Sequence, residues 1–493
     1  MNKAFDLIIF GGTGDLSLRK LLPSLYRAFL ENKLHRQGRI FLSTRKPADF
    51  KNITNIAEQA LHEFLTYNEF DQTQWALFKN LIHPLFLDLS DMSKGWDEFV
   101  TQLDGIDDRD RVFYLATTPN VYGSTCEFLS KKSLITTNSR IVVEKPLGFD
   151  QHSAEKINQK MARYFKEEQI YRIDHYLGKE TVQNLMALRF SNSLFEQLWN
   201  AHNIDHIQIS INEQVGLEGR AGFYDKAGAM RDMVQNHLLQ LLCLISMEPP
   251  AQLDAENIRE EKIKVLKSLR PIVNDLVEKN TVRGQYQSGS IYGKTVPGYL
   301  EELGDEDSQI ETYVAIRAHI DNWRWSRVPF YLRTGKRLKR RSAEIIIQFK
   351  EISRNIYTKE AGVPIPNRLI IQLQPEERMQ FKLMAKDMNT LETKIKPVSL
   401  NLNFTVENEG FRSFAYKRLL LDAIAGNPTL FIHRNEVTSA WSWIDPIIQQ
   451  WQKNNQQLCA YKAGSWGPDE ADKLLMKDGR HWIDIEDGSE DYD

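Results

Sequence analysis

The sequence predicts an α/β domain over residues 1–177 followed by an α+β domain over 178–493 with a large, mainly antiparallel sheet. Three observations carry this expectation. The chain opens with a continuously apolar run that stops at a glycine cluster, Gly11-Gly12-Thr13-Gly14. Apolar runs and helical periodicity then alternate to about residue 180. Beyond that point the strand-like segments alternate apolar with polar residues. Continuous apolar strands belong to parallel sheets buried on both faces, and alternating strands to antiparallel sheets with one wetter face.

Taken in order, Phe5–Phe10 (FDLIIF) is the first strand, ended by the glycines. Leu18, Leu22, Leu25 and Phe29 then recur at helical spacing, with Pro23 inside the pattern expected to kink or tighten the first turns. Arg39–Ser43 is a second strand, and Leu85–Leu87, Val112–Leu115 and Ile141–Val143 continue the series between helical segments. Strand and helix in this alternation make a doubly wound, Rossmann-type domain. In the second half, Ile207, Ile209 and Ile211 alternate with His206, Gln208, Ser210 and Asn212. Short strands are expected again at Glu344–Phe349, Arg368–Leu373 and Leu400–Phe404. The end, Asp484–Asp493, carries six acids and no base and reads as a frayed, solvated tail.

Composition excludes several classes. With 63 Lys+Arg against 66 Asp+Glu in 493 residues, the net charge of -3 argues against bulk electrostatic binding of nucleic acid. Cys126, Cys243 and Cys459 are too scattered for a disulfide framework or zinc site and fit a reducing, cytoplasmic compartment. No apolar stretch approaches the roughly 20 residues needed to cross a bilayer, and the N-terminal run is too short for a signal peptide.

Gly12, Gly14 and Ser17 stand at the spacing of a dinucleotide-binding turn, with serine in place of the third glycine. Glycine there lets the backbone approach a pyrophosphate, and the following helix presents free N–H groups to it. Thr13, Asp15 and Leu16 belong to the same turn. The second strand ends Ser43-Thr44-Arg45-Lys46, with no acid to take a ribose 2′-hydroxyl. Two cations favour the 2′-phosphate of NADP, although Arg45 could also stack on adenine, which leaves NAD as a weaker alternative. A plain solvated basic turn is the bland reading.

Polar residues concentrate in four later segments. Glu144-Lys145-Pro146 ends a buried strand, where such sheets bind ligands, and a cis bond at Pro146 would aim Lys145 into the cleft. Tyr171–Glu180 holds Asp174, His175, Tyr176 and Lys179 within six residues. His237 follows Asp232 and Asn236 on an otherwise apolar stripe of Met230, Val234, Leu238, Leu241 and Ile245. A histidine so placed is more often a satisfied core residue, but Asp174 is available to orient an imidazole. Arg333–Arg341 carries six cations, most of them expected in a solvated loop, with one or two left to reach a sugar or phosphate.

GGTGDLSLRK (11–20), EKPLG (144–148), RIDHYLGKE (172–180), the stretch 212–237 ending RDMVQNH, and LRTGK (332–336) together resemble the successive motifs of the glucose-6-phosphate dehydrogenases. The resemblance spans essentially the whole chain. It implies oxidation of glucose 6-phosphate at C1, with His237 as general base and Asp174 as its carboxylate partner. It implies that His175, Tyr176 and Lys179 hold the phosphate and that Lys145, Glu213 and Asp232 bind sugar hydroxyls. Lys336 and Arg341 would close the substrate site, and Thr13, Arg45, Asp88 and Leu89, with Lys145 nearby, would contact NADP. It further implies a homodimer or homotetramer. Two other readings stay open: a dehydrogenase of unphosphorylated sugars, and a non-catalytic NADP-sensing protein on the same fold.

Overall fold

The computed structural model describes residues 3–103, 109–390, 393–403, 415–454 and 456–484. They form two compact units. The first comprises Met1–Glu180 and two later returns of the chain, Pro250–Glu260 and Asn408–Thr438. The division is therefore not a single cut near residue 178.

The returns have a physical role. The seven-stranded sheet of the first unit runs, edge to edge, Phe431–Ile432, Ile170–Ile173, Ser139–Val143, Asp110–Leu115, Phe5–Phe10, Arg39–Thr44 and Ile82–Phe86. All neighbours pair in parallel except Phe431–Ile432, which lies antiparallel on Ile170–Ile173 and covers an edge that would otherwise expose unpaired backbone. Arg259, from the other return, fastens this edge by donating to the carbonyls of Pro428 and Phe431 at 3.1 Å each. The strand order reverses between Phe5–Phe10 and Asp110–Leu115, the switch point at which doubly wound sheets bind ligands.

Pro23 acts differently from expectation. The helix after the glycines widens over Ser17–Leu21, where the Leu22 N–H donates to the Ser17 carbonyl, and becomes α-helical at Leu22–Leu30. A proline ring collides with the carbonyl four residues back, and a widened turn displaces that carbonyl instead of tightening the coil.

The second unit comprises Thr181–Pro249, Glu261–Glu407 and Ser439–Asp493. Its nine-stranded sheet runs Ile395–Asn403, Arg378–Lys386, Arg368–Gln374, Ser342–Phe349, Ile204–Asn212, Pro329–Gly335, Tyr313–His319, Thr281–Gln287 and Cys459–Lys462. Neighbours are antiparallel except at Ile204–Asn212 with Pro329–Gly335 and Thr281–Gln287 with Cys459–Lys462. The large, mainly antiparallel sheet is as expected. Phe404, given to its last strand, lies outside the described residues.

One expectation is overturned here. The polar face of Ile204–Asn212 is not wet: His206, Gln208, Ser210 and Asn212 are all buried. His206 bonds to its neighbours Asp205 and Gln208, and long-range hydrogen bonds engage the other three. The Gln208 amide donates to the His481 carbonyl at 2.8 Å and accepts from the Ile483 N–H at 3.0 Å. Ser210 accepts from Arg333 at 2.9 Å, and Asn212 donates to Ser342 at 2.9 Å. Asp484, expected in a frayed tail, pairs with Arg333 at 3.0 Å; the rest of the acidic tail lies outside the described residues. Among the described residues, no helix is long and apolar enough to cross a membrane.

Candidate active site

In the first unit the expected cofactor residues gather where the parallel strands end. Gly11 has φ +82°, and a Cβ there would lie 2.6 Å from the Ala116 carbonyl. A Cβ on Gly12 would lie 2.7 Å from the Leu42 backbone. The turn is clamped by Gly12 N–H donating to the Ser43 carbonyl at 2.8 Å and Gly11 N–H to the Ser43 hydroxyl at 3.1 Å. Ser17 fills the third glycine position, buried, with its hydroxyl donating to the Gly11 carbonyl at 2.8 Å. The two glycines thus let the turn lie directly against Ala116 and Leu42. Gly12→Ala is expected to destabilise the fold by about 1–3 kcal/mol through this overlap. A thermal midpoint equal to that of the unaltered chain would contradict the close approach.

Thr13, Gly14 and Leu16 are half-buried, and Asp15 is exposed, 4.0 Å from Arg19. Arg45 is exposed just past the second strand. Asp88 and Leu89 follow the strand Ile82–Phe86, but their polar groups serve local structure. The Asp88 carboxylate accepts from Ser90 N–H at 2.9 Å, and the Leu89 carbonyl accepts from Ser124 at 3.3 Å.

Lys145 is half-buried, and the Lys145–Pro146 bond is cis. Behind it, Glu144 is buried and receives the Tyr114 hydroxyl at 2.6 Å. Burial pushes its carboxyl up to about 7, although the hydroxyls of Tyr114 and Tyr416 and the charge of Lys145 pull it down. The folded state therefore holds a proton on Glu144 that the unfolded state, with an ordinary value of 4.5, releases. This contribution to stability is full below the unfolded value and is lost as pH rises through about 7. Glu344, raised to about 7 by burial in the second unit, acts in the same sense. Glu144→Gln keeps the acceptor for Tyr114 and removes the titration. Its thermal midpoint should therefore gain on that of the unaltered chain between about pH 5 and 8, and parallel profiles would contradict this.

Beyond the strand Ile170–Ile173, Asp174 is buried and accepts the Tyr176 N–H at 2.9 Å, so its own turn holds the carboxylate. The Lys179 ammonium sits 5.0 Å from the Tyr176 ring centroid. His175 is half-buried and stacks on Tyr416 at 6.1 Å. Arg172 is structural, buried and bonded to Glu167 and Asn158.

In the second unit, Lys336 donates to Glu213 at 2.9 Å and lies 4.9 Å from the Tyr224 ring centroid. Burial, then the charges of Asp232 and Glu213, holds the Tyr224 hydroxyl well above its ordinary range. Glu213, Tyr224, Asp232 and Lys336 thus form one group. His237 is fully buried on the π-helical stretch Met230–Leu238, which contacts the strands Ile204–Asn212 and Pro329–Gly335. Hydrogen bonds spanning five residues bring Asp232 and His237 to nearly the same side, whereas α-helical geometry would turn them apart.

Glu311, which the sequence does not single out, starts this helix. Its buried carboxylate accepts the Met230 N–H at 3.0 Å, its carbonyl accepts the Ala229 N–H at 2.9 Å, and Gly228 at φ +70° makes room for it. The basic stretch corrects another expectation. Arg333 and Lys336 are buried, Arg337 pairs with Glu302 at 3.0 Å, and Arg340 lies 3.7 Å from Glu344. Only Lys339 and Arg341 are exposed, Arg341 standing just before the strand Ser342–Phe349. Glu302 and Glu344 lie far along the chain or in the next strand, so the sequence run alone looks solvated.

Fold and site define a nicotinamide-dependent oxidoreductase. Residues 8–184 match the family model described as glucose-6-phosphate dehydrogenase, NAD binding domain, and residues 186–483 match its C-terminal domain. The chain belongs to the glucose-6-phosphate dehydrogenase family. It is 49% identical over 480 residues to a glucose-6-phosphate 1-dehydrogenase of Rhizobium meliloti, covering 97% of this chain and 98% of that protein. It is 44% identical over 486 residues to the enzyme of that name from Zymomonas mobilis, covering 98% and 100%. A solved glucose-6-phosphate dehydrogenase in complex with glucose 6-phosphate superposes with a TM-score of 0.88 at 32% identity, covering 98% of this chain and 99% of that one.

Proposed function

We propose that this chain oxidises D-glucose 6-phosphate at C1 to 6-phospho-D-glucono-1,5-lactone with NADP as hydride acceptor, the first step of the oxidative pentose phosphate pathway. The observation that carries the reading is His237, fully buried on a widened helix with Asp232 on nearly the same side. Its imidazole takes the proton of the C1 hydroxyl, and Asp174 orients the ring and stabilises the imidazolium. General-base help of this kind is worth about 10²–10⁴-fold, the remainder coming from positioning and from the cofactor. The bound nicotinamide supplies the hydride acceptor.

Lys179 and His175, with Tyr176, hold the phosphate, while Glu213, Asp232 and Lys145 take the sugar hydroxyls. Lys336 aligns Glu213, and Arg341 is a further phosphate or sugar contact. The glycine turn with Thr13, Asp15 and Leu16 cradles the pyrophosphate. Arg45 meets the 2′-phosphate, and Asp88 and Leu89 flank the nucleotide through backbone groups. The protein works in the cytoplasm as a homodimer or homotetramer. Light scattering should accordingly give two or four times the chain mass of 57.3 kDa, and a monomer would contradict this. The reaction is tested by mass spectrometry of the sugar product after incubation with glucose 6-phosphate and NADP. A lactone two hydrogens poorer than the substrate, or its hydrolysis product, an acid one oxygen richer, is expected; cofactor binding with no oxidised sugar would overturn the reading.

A further inference from the structure

Glu311 and Thr312 lead into the strand Tyr313–His319, and each grips a different part of the group assigned to the sugar. Glu311 holds the start of the π-helical stretch Met230–Leu238 at two points. Its buried carboxylate accepts the Met230 N–H at 3.0 Å, and its carbonyl accepts the Ala229 N–H at 2.9 Å. An N–H at a helix start has no acceptor within the helix. Gly228, at φ 70° and ψ 173°, breaks the chain away from the preceding helical turn, and a Cβ there would run into the Glu311 carboxylate. The start of the stretch is therefore placed by Glu311. Asp232 lies in its first turn and His237 in its last. Thr312 holds the other part. Its carbonyl accepts the Lys336 N–H at 2.9 Å. Its hydroxyl accepts the Tyr286 N–H at 3.0 Å and lies 3.0 Å from the Tyr461 hydroxyl, which donates to the Lys336 carbonyl at 2.8 Å. Thr312, Tyr461 and Lys336 are all buried.

We propose that Glu311 is a positioning residue for the reaction: with Thr312 it sets the register of Asp232 and His237 against Lys336 and its partner Glu213. The inference rests on the reaction proposed above. In this role Glu311 acts through His237 and Asp232, without touching the sugar. Its acceptor must reach Met230, so the length of the side chain matters more than its charge. A Glu311 that only complements the positive end of the helix would need the charge and not the reach. Misplacing a reacting group by about 1 Å costs about 10²-fold in rate.

The test measures kcat and KM for glucose 6-phosphate, with NADP, in the unaltered chain, Glu311→Gln, Glu311→Asp and Glu311→Ala, each well below its thermal midpoint. Glu311→Gln keeps an oxygen within reach of Met230 and should hold kcat within about threefold. Glu311→Asp, one methylene shorter, should lower kcat about tenfold, and Glu311→Ala about 10–100-fold. KM should move by no more than about threefold, because the loss falls on the reacting geometry. In a His237→Asn background, Glu311→Ala should cost no more than about threefold further, because both changes remove the same contribution. A kcat unmoved by Glu311→Asp, an aspartate variant faster than the glutamine variant, a loss carried by KM, or a full additional loss in the His237→Asn background each overturns the inference alone. The comparison of Glu311→Asp with Glu311→Gln decides even where Glu311→Ala fails to fold. A chain that oxidises no glucose 6-phosphate overturns the proposed reaction and this inference with it.

Discussion

His237→Asn should lower kcat by about 10²–10⁴-fold and leave the affinity for glucose 6-phosphate nearly unchanged. Asparagine is smaller than histidine but still polar, so the buried position stays occupied while the proton acceptor is lost. An imidazole, with an ordinary value near 6.5, is a competent base at physiological pH. The pH profile of kcat/KM should therefore show one acidic limb that disappears in the variant. Asp174→Asn should reproduce part of the loss. A His237→Asn protein with near-normal turnover would remove the histidine from the chemistry.

The second large effect belongs to binding. Lys179→Ala should weaken glucose 6-phosphate by about 10–100-fold, in line with the roughly 1.5–3 kcal/mol of a hydrogen bond to a charged group. Lys179 is buried against Tyr176, so its ammonium is poorly screened by water and would hold a phosphate correspondingly strongly. The variant should act on free glucose as the unaltered chain does. If glucose and glucose 6-phosphate suffer alike, Lys179 is not a phosphate ligand.

What could be read from the sequence depended on how local the deciding interactions were. Phe5–Phe10 and the glycines after it report their own environment, because a strand buried on both faces must be apolar throughout. Ile204–Asn212 misled for the opposite reason. Gln208, Ser210 and Asn212 bond to Arg333, Ser342, His481 and Ile483, between about 120 and 275 residues away, which no pattern inside the strand announces. His237 was legible as a residue but not in its setting. Helical periodicity of 3.6 assigned it to an apolar stripe, whereas the helix is widened there and begins on Glu311, a residue from a distant loop. Tyr416, which meets both Glu144 and His175, comes from a chain return that sequence alone assigns to the other domain.

The reaction proposed for this chain is the oxidation of a phosphorylated sugar at C1. Its most direct measurement is the initial rate of NADP reduction with glucose 6-phosphate and with glucose, each across a range of concentrations. The residues assigned to the phosphate predict a kcat/KM at least about a hundredfold higher for glucose 6-phosphate, as expected when a buried cation loses its partner. Equal values for the two sugars, or no sugar-dependent reduction of cofactor, would contradict the account.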